Sequence, residues 1–210
     1  MVDKINVAPY GVSTLDEKDL NIIENVINDP ELDLKLDDAI LLADEDSTKA
    51  PIKDNSVRSG KTCFLPVNDK LTELFGKLIL DYNLNFSGWN FDVEFIEAIQ
   101  LGHYHKGDFY DWHTDAFTNP SFQTQHEYHP DKPYNRKISV TVWLNDPDEY
   151  EGGEFDLETG GPNAEIRFES MKMPRGTILI FPSNMWHRVR PVTSGVRKSL
   201  VLWIQGPPFK

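Results

Sequence analysis

Apolar residues recur at helical spacing in the first third of the chain and at every second position beyond residue 90. Leu20, Ile23 and Ile27 share one face of an expected helix. Thr14 and Glu17 have capping-box spacing at its start, and Asp29-Pro30 would end it. After Asn68 and Asp69, a fuller stripe of Leu71, Leu74, Phe75, Leu78, Ile79 and Tyr82 predicts a second helix. The polar stretch 44–61, with Pro51 and Gly60, reads as a loop.

Downstream, Phe91, Val93 and Phe95 alternate with Asp92 and Glu94. Ile138, Val140, Val142 and Leu144 alternate with Ser139, Thr141 and Trp143, and Leu200, Leu202 and Ile204 with Ser199, Val201 and Trp203. Successive side chains on a strand point to opposite faces, so this period marks strands with distinct sides. Shorter strand candidates lie at 154–157, 165–169, 177–181 and 186–190. Turn signals at Gly152-Gly153, Gly160-Gly161-Pro162 and Pro174-Arg175-Gly176 separate them. Many short strands suggest a sandwich or jelly roll, a mainly β fold with flanking helices (α+β). We expect one domain, with helical support over 1–85 and a β core over 90–205. The long polar stretch 116–137 lacks periodicity and reads as a flap, where Phe117, Phe122, Tyr128 and Tyr134 could cover an extended peptide.

Composition narrows the function. At 210 residues with 21 basic and 34 acidic side chains, the net charge is −13, which argues against gripping nucleic-acid backbones. The single cysteine, Cys63, excludes an internal disulfide and a cysteine-based zinc site. No apolar run reaches the roughly 18 residues of a membrane span. The first residues, Met1 to Lys4, lack a signal-peptide pattern, so the expected compartment is the cytoplasm.

Chemistry concentrates between residues 101 and 115, where His103, His105 and His113 fall within eleven positions. His113 and Asp115, two apart on extended backbone, can present an imidazole and a carboxylate to one point. His187, after a strand signal and a turn, is the candidate third ligand. Two histidines and one carboxylate with open positions suit a non-heme Fe(II) oxygenase. The plainer alternative is half-buried strand histidines. Arg197 adds weight against it, because a strand guanidinium beside such a site needs an anionic partner and its fork suits a carboxylate. A cupin-like set of His103, His105, Asp108 and His187 is a rival but leaves Arg197 unexplained. A non-catalytic jelly-roll module is another alternative. His126 and His129, and the acidic groups at 44–46 and 146–149, read as solvated features.

His113-x-Asp115, His187 and Arg197-x-Ser199 together resemble the 2-oxoglutarate and Fe(II)-dependent dioxygenases, specifically their prolyl 4-hydroxylase-like branch. Tyr104, Gly107 and Tyr110 ahead of the ligand motif, residues 139–145, Glu151 to Glu154, 174–176, Phe181-Pro182 and 187–192 extend the similarity over about residues 90 to 205. The resemblance implies a double-stranded β-helix (jelly roll) and an oxidoreductase. Iron would be held by His113, Asp115 and His187, and the distal carboxylate of 2-oxoglutarate by Arg197. Tyr104, Ser199 and Thr141 would belong to the co-substrate pocket, with Trp143 on the same strand parity. Tyr110 and Trp203 would face the substrate side and the pocket wall. O2 is the second co-substrate, with ascorbate an accessory reductant.

Because Asp115 fills the position left empty in halogenating relatives, the resemblance implies hydroxylation. Nucleic-acid demethylating relatives carry a second arginine where this chain has Trp203. The implied substrate is a prolyl residue in a peptide or protein. The alternative is a free amino acid or small molecule, without nucleic-acid or membrane partners. The acidic charge favours a basic or neutral partner.

Overall fold

The computed structural model describes residues 9–40, 54–116, 124–126 and 129–209, with backbone alone for 124–126 and 129–132. Strands β1 (Gly11–Thr14), β2 (Asp37–Asp38), β3 (Arg58–Ser59) and β4 (Lys61–Phe64) occupy the N-terminal part. They are interleaved with helices α1 (Glu17–Ile27) and α2 (Asp69–Asp81). Then come β5 (Phe95–Ile96), β6 (Gln100–Tyr104), β7 (Phe109–His113), β8 (Thr124–His126), β9 (His129–Trp143) and β10 (Tyr150–Gly152). The chain closes with β11 (Phe155–Glu158), β12 (Phe168–Met171), β13 (Thr177–Pro182), β14 (His187–Val189), β15 (Val192–Gly195) and β16 (Arg197–Gly206). Among the described residues no helix is long and apolar enough to cross a membrane.

Asp16, rather than Thr14, caps α1: its carboxylate accepts the Asp19 N–H at 2.9 Å. Thr14 is committed to β1, opposite Thr177 of β13, so the helix cannot begin there. Asn68 caps α2 by accepting the N–H groups of Lys70 and Leu71. The buried stripes are Leu20, Ile23 and Val26 on α1, and Leu71, Phe75 and Ile79 on α2. Ile27 is only partly buried.

Both helices pack on one face of a large antiparallel sheet ordered β1-β13-β9-β16-β6-β4-β2. There they meet Ile138, Val140 and Val142 of β9, Ile178 and Ile180 of β13, and Leu200, Leu202 and Ile204 of β16. The opposite parity of the same strands carries Trp143, Leu179 and Phe181. These close against Phe155, Leu157 and Val189 of a smaller sheet ordered β12-β11-β14-β7-β3. The result is a jelly-roll sandwich with helices outside. Fully burying a side chain such as Phe75 contributes about 1.5–3 kcal/mol, so the helical cap holds the large sheet in place from outside while the site forms on its inner face.

Further expectations change. The stretch 44–61, expected as a loop, carries β3, which pairs with β7, and the first residue of β4. Phe91 to Glu94 do not form a strand. Buried Asn83 bonds both the N–H and the C=O of Phe91 at 3.0 Å, leaving only Phe95–Ile96 to pair with β16. The stretch 116–137, expected as a flap, contains strand β8 and the first half of β9, which pair with each other. From Asn135 onward β9 also pairs with the end of β16. Its polar composition hides a strand because the long side chains have partners: Tyr134 donates to Glu94 at 2.7 Å and Arg136 forks onto Glu97. Tyr134 is buried in the sheet and so cannot cover a peptide. Phe117, Phe122, Tyr128, the side chains of His126 and His129, and the acidic group 44–46 lie outside the described residues.

Candidate active site

β7 ends on His113 and β14 begins on His187, and the two residues are register partners across the small sheet. Two residues past the strand, the N–H groups of Asp115 and Ala116 both bond the Ser183 carbonyl at 2.9 Å, which turns the Asp115 carboxylate back toward the imidazoles. Its oxygens lie 3.8 Å from His113 Nε2 and 3.4 Å from His187 Nε2. One donor atom from each residue falls within 4.8 Å of the others, and this is the group able to hold a metal among the described residues.

The surroundings prepare these donors. His113 Nδ1 faces the Asp111 carbonyl at 2.7 Å and His187 Nδ1 the Met185 carbonyl at 3.0 Å. Each Nδ1 therefore carries a proton, and each Nε2 faces the shared centre. Burial, reinforced by the neighbouring His187, pushes the His113 pKa down to about 3, so the ring is neutral in ordinary buffers. Burial tends to raise Asp115, but the neighbouring His187 and His113 outweigh it and hold the carboxyl far below the usual range. Ser139 donates to Asp115 Oδ2 at 2.7 Å and exchanges a bond with Ser183 at 2.9 Å. Two imidazoles and one fixed carboxylate fit a divalent iron with open coordination positions.

Arg197 is 1% exposed on β16, facing the same pocket. Its Nη1 donates to Ser199 at 3.0 Å, while Nε and Nη2 have no partner. Tyr104 and Trp143 flank the guanidinium at 5.6 and 5.7 Å. Behind it, Gly153 has φ +65°, and a side-chain carbon there would come within 3.2 Å of the Arg197 stem, so the Gly152-Gly153 turn makes room for it. An unpaired buried guanidinium costs several kcal/mol, and a carboxylate is the ligand that its planar fork fits.

Tyr104, Thr141, Ser199, Tyr110 and Trp203 all line this pocket. The Tyr110 ring stacks on His113 at 3.5 Å, and burial lifts its pKa to about 12, so it stays a phenol. Trp203 lies under the Arg136 guanidinium at 3.8 Å. Trp143 packs against Phe155 behind Arg197 and is not part of the lining.

The cupin-like set does not assemble. Asp108 is taken by Ser59 and by the His105 N–H, and neither it nor His103 joins His187. The sequence reading missed Ser139, Ser183, Arg58 and Gln100. Ser139 shares the strand parity of Thr141, a usable signal. Arg58 sits in a stretch that reads as loop and offers none.

The sequence profile described as the 2OG-Fe(II) oxygenase superfamily matches residues 99–205. A PKHD-type hydroxylase of Hyphomonas neptunium is 46% identical over 68 residues, covering 32% of this chain and 28% of that protein. One from Synechococcus is 32% identical over 141 residues, 67% of this chain and 55% of that protein. The chain thus spans about a quarter to a half of the length of these curated relatives. Among solved structures, a Pseudomonas putida prolyl-4-hydroxylase superposes with TM-score 0.65 at 19% identity, covering 96% and 94% of the two chains. A Trichoplax adhaerens prolyl hydroxylase, solved with a hypoxia inducible factor peptide fragment, also has TM-score 0.65, at 18% identity over 93% and 83%. These likenesses concern the fold.

Proposed function

Since the chain belongs to the 2OG-Fe(II) oxygenase superfamily, we propose that it hydroxylates an unactivated C–H bond using Fe(II), 2-oxoglutarate and O2, its substrate a prolyl residue in a peptide or protein. The observation that carries this is the pairing, in one pocket, of the His113, Asp115 and His187 donors with a buried Arg197 whose Nε and Nη2 have no partner. When bound, Fe(II) supplies O2 activation coupled to oxidative decarboxylation of 2-oxoglutarate to succinate.

The protein's own share is positioning. His113 and His187 would offer Nε2 lone pairs, and Asp115 a carboxylate whose second oxygen is steadied by Ser139. Arg197 and Ser199 would hold the distal carboxylate of 2-oxoglutarate, with Tyr104 and Thr141 on the pocket walls. Tyr110, held as a phenol against His113, can donate a hydrogen bond toward the substrate side. Phe155, Phe181 and Val189 make the pocket wall apolar and exclude water from the reacting centre. For the substrate, support comes from the fold shared with prolyl hydroxylases, one of them solved with a peptide.

Succinate release with Fe(II) and 2-oxoglutarate, measured against a panel of proline-containing peptides, tests this. Stimulation by one or more peptides is expected. Stimulation by free proline or another small amine, with none by peptides, would refute the peptide assignment and leave the small-molecule alternative.

A further inference from the structure

A second buried arginine lines the same pocket. Arg58, on β3, is 8% exposed and reaches the site from outside the stretch matched by the superfamily profile. Its Nη2 donates to the Gln100 side-chain oxygen at 2.8 Å and its Nη1 makes a long contact of 3.4 Å with the Ile40 carbonyl. Both acceptors are neutral. Nε has no partner, and among the described residues no carboxylate forms an ion pair with Arg58. The guanidinium lies 4.5 Å from the centre of the Tyr110 ring, the ring that stacks on His113.

Buried charges persist when an opposite charge meets them. The pocket holds two unpaired guanidinium groups, Arg197 and Arg58, against one carboxylate, Asp115. With divalent iron and the 2-oxoglutarate dianion in place, one positive charge remains, and it is on Arg58. We propose that Arg58 with Gln100 forms an anion subsite beside Tyr110, and that the substrate presents a carboxylate there. This deepens the hydroxylase reading, on which it rests for its probes. It also sets a local preference against the protein's overall negative charge, since a guanidinium in a water-poor pocket outweighs surface charges screened by salt.

Two sources could supply that carboxylate: the substrate's own α-carboxylate, or an acidic side chain beside the target residue. Calorimetry on the full chain, loaded with Fe(II) and 2-oxoglutarate without oxygen, separates them. N-acetyl-L-proline is compared with N-acetyl-L-prolinamide, and the blocked dipeptide Pro-Glu with Pro-Gln. In one pair the acid should bind roughly tenfold tighter than its amide, the scale of a charge-assisted hydrogen bond. Preference in the first pair identifies a free-acid substrate, and in the second an acidic peptide. Arg58→Gln should shrink the gap below about twofold, while Arg58→Lys keeps most of it and the 2-oxoglutarate affinity stays unchanged in both. Equal binding of acid and amide in both pairs, no binding by any probe, or a gap that survives Arg58→Gln overturns the proposal. The wild-type comparison needs no variant, so a poorly folding Arg58→Gln does not blunt it. Iron-dependent succinate release is scored separately: its absence defeats the oxygenase reading, whereas the binding gap reports on Arg58 alone.

Discussion

Replacing Ser139 with Ala removes one hydroxyl from the interior and leaves every metal donor in place. That hydroxyl is 1% exposed and donates at 2.7 Å to Asp115 Oδ2. A hydrogen bond to a charged acceptor contributes about 1.5–3 kcal/mol, and each ~1.4 kcal/mol is tenfold in affinity. The upper bound is therefore about a hundredfold, in line with outer-shell substitutions at other metal sites. Two features of this site pull the value down. The Asp115 backbone stays tied to the Ser183 carbonyl, and the Ser183 hydroxyl, 2.9 Å from Ser139 Oγ, can turn toward the freed carboxylate. Ser139→Ala should thus weaken Fe(II) or Mn(II) binding about tenfold, and the double variant with Ser183→Ala by a further several-fold. Competition against a chelator of known affinity reads both. Affinity within twofold of wild type in the double variant would show that Asp115 is oriented without these hydroxyls, and the reasoning would fail.

Arg197→Ala should raise the 2-oxoglutarate concentration needed for half-maximal turnover by about thirtyfold or more, the cost of losing one partner of a desolvated charge pair, and Arg197→Lys should recover part of it; an unchanged requirement removes Arg197 from its role. Asp156, fully buried, receives Arg188 and Arg190 at 2.7 and 2.8 Å and also Ser170. Asp156→Ala should cost about 3 kcal/mol in denaturant unfolding, near the lower end for a broken buried pair because both arginines can hydrate. Burial tends to raise this carboxyl, yet its arginine and serine partners hold it below 3.8. Its stabilisation is accordingly present above that pH and lost as the pH falls through the depressed value. An acid-unfolding profile of Asp156→Ala that parallels wild type below pH 3.8 would contradict this.

How much of this could be seen in the sequence depended on whether the signal was local. His113 and Asp115 are two apart in the chain, so the pair was visible without the fold, whereas the bonds of Asp115 and Ala116 to the Ser183 carbonyl that turn the carboxylate inward were not. The parity of β9 and β16 was equally local. Ile138, Val140, Leu200 and Leu202 go to the helices, while Thr141, Arg197, Ser199 and Trp203 go to the pocket side. What stayed hidden depends on register. Ser139 meets Ser183 because β9 and β13 pair with Phe181 opposite Ser139, and no spacing within either strand encodes that. Arg58 reaches the site because a two-residue strand pairs with Tyr110 and Phe109. Thr14 and Phe91 were misread for a related reason: β13 claims the first and the Asn83 side chain the second. In both cases a tertiary partner overrides a pattern that is sound in isolation.

The most direct test of the central claim is the dependence of 2-oxoglutarate binding on a metal held by the three donors, followed by calorimetry under anaerobic conditions. The account predicts one 2-oxoglutarate bound per chain in the presence of Fe(II), with sharply weaker binding when the metal is withheld or when Asp115 is replaced by Ala. Binding of equal strength with and without metal, or binding indifferent to Asp115→Ala, would contradict it.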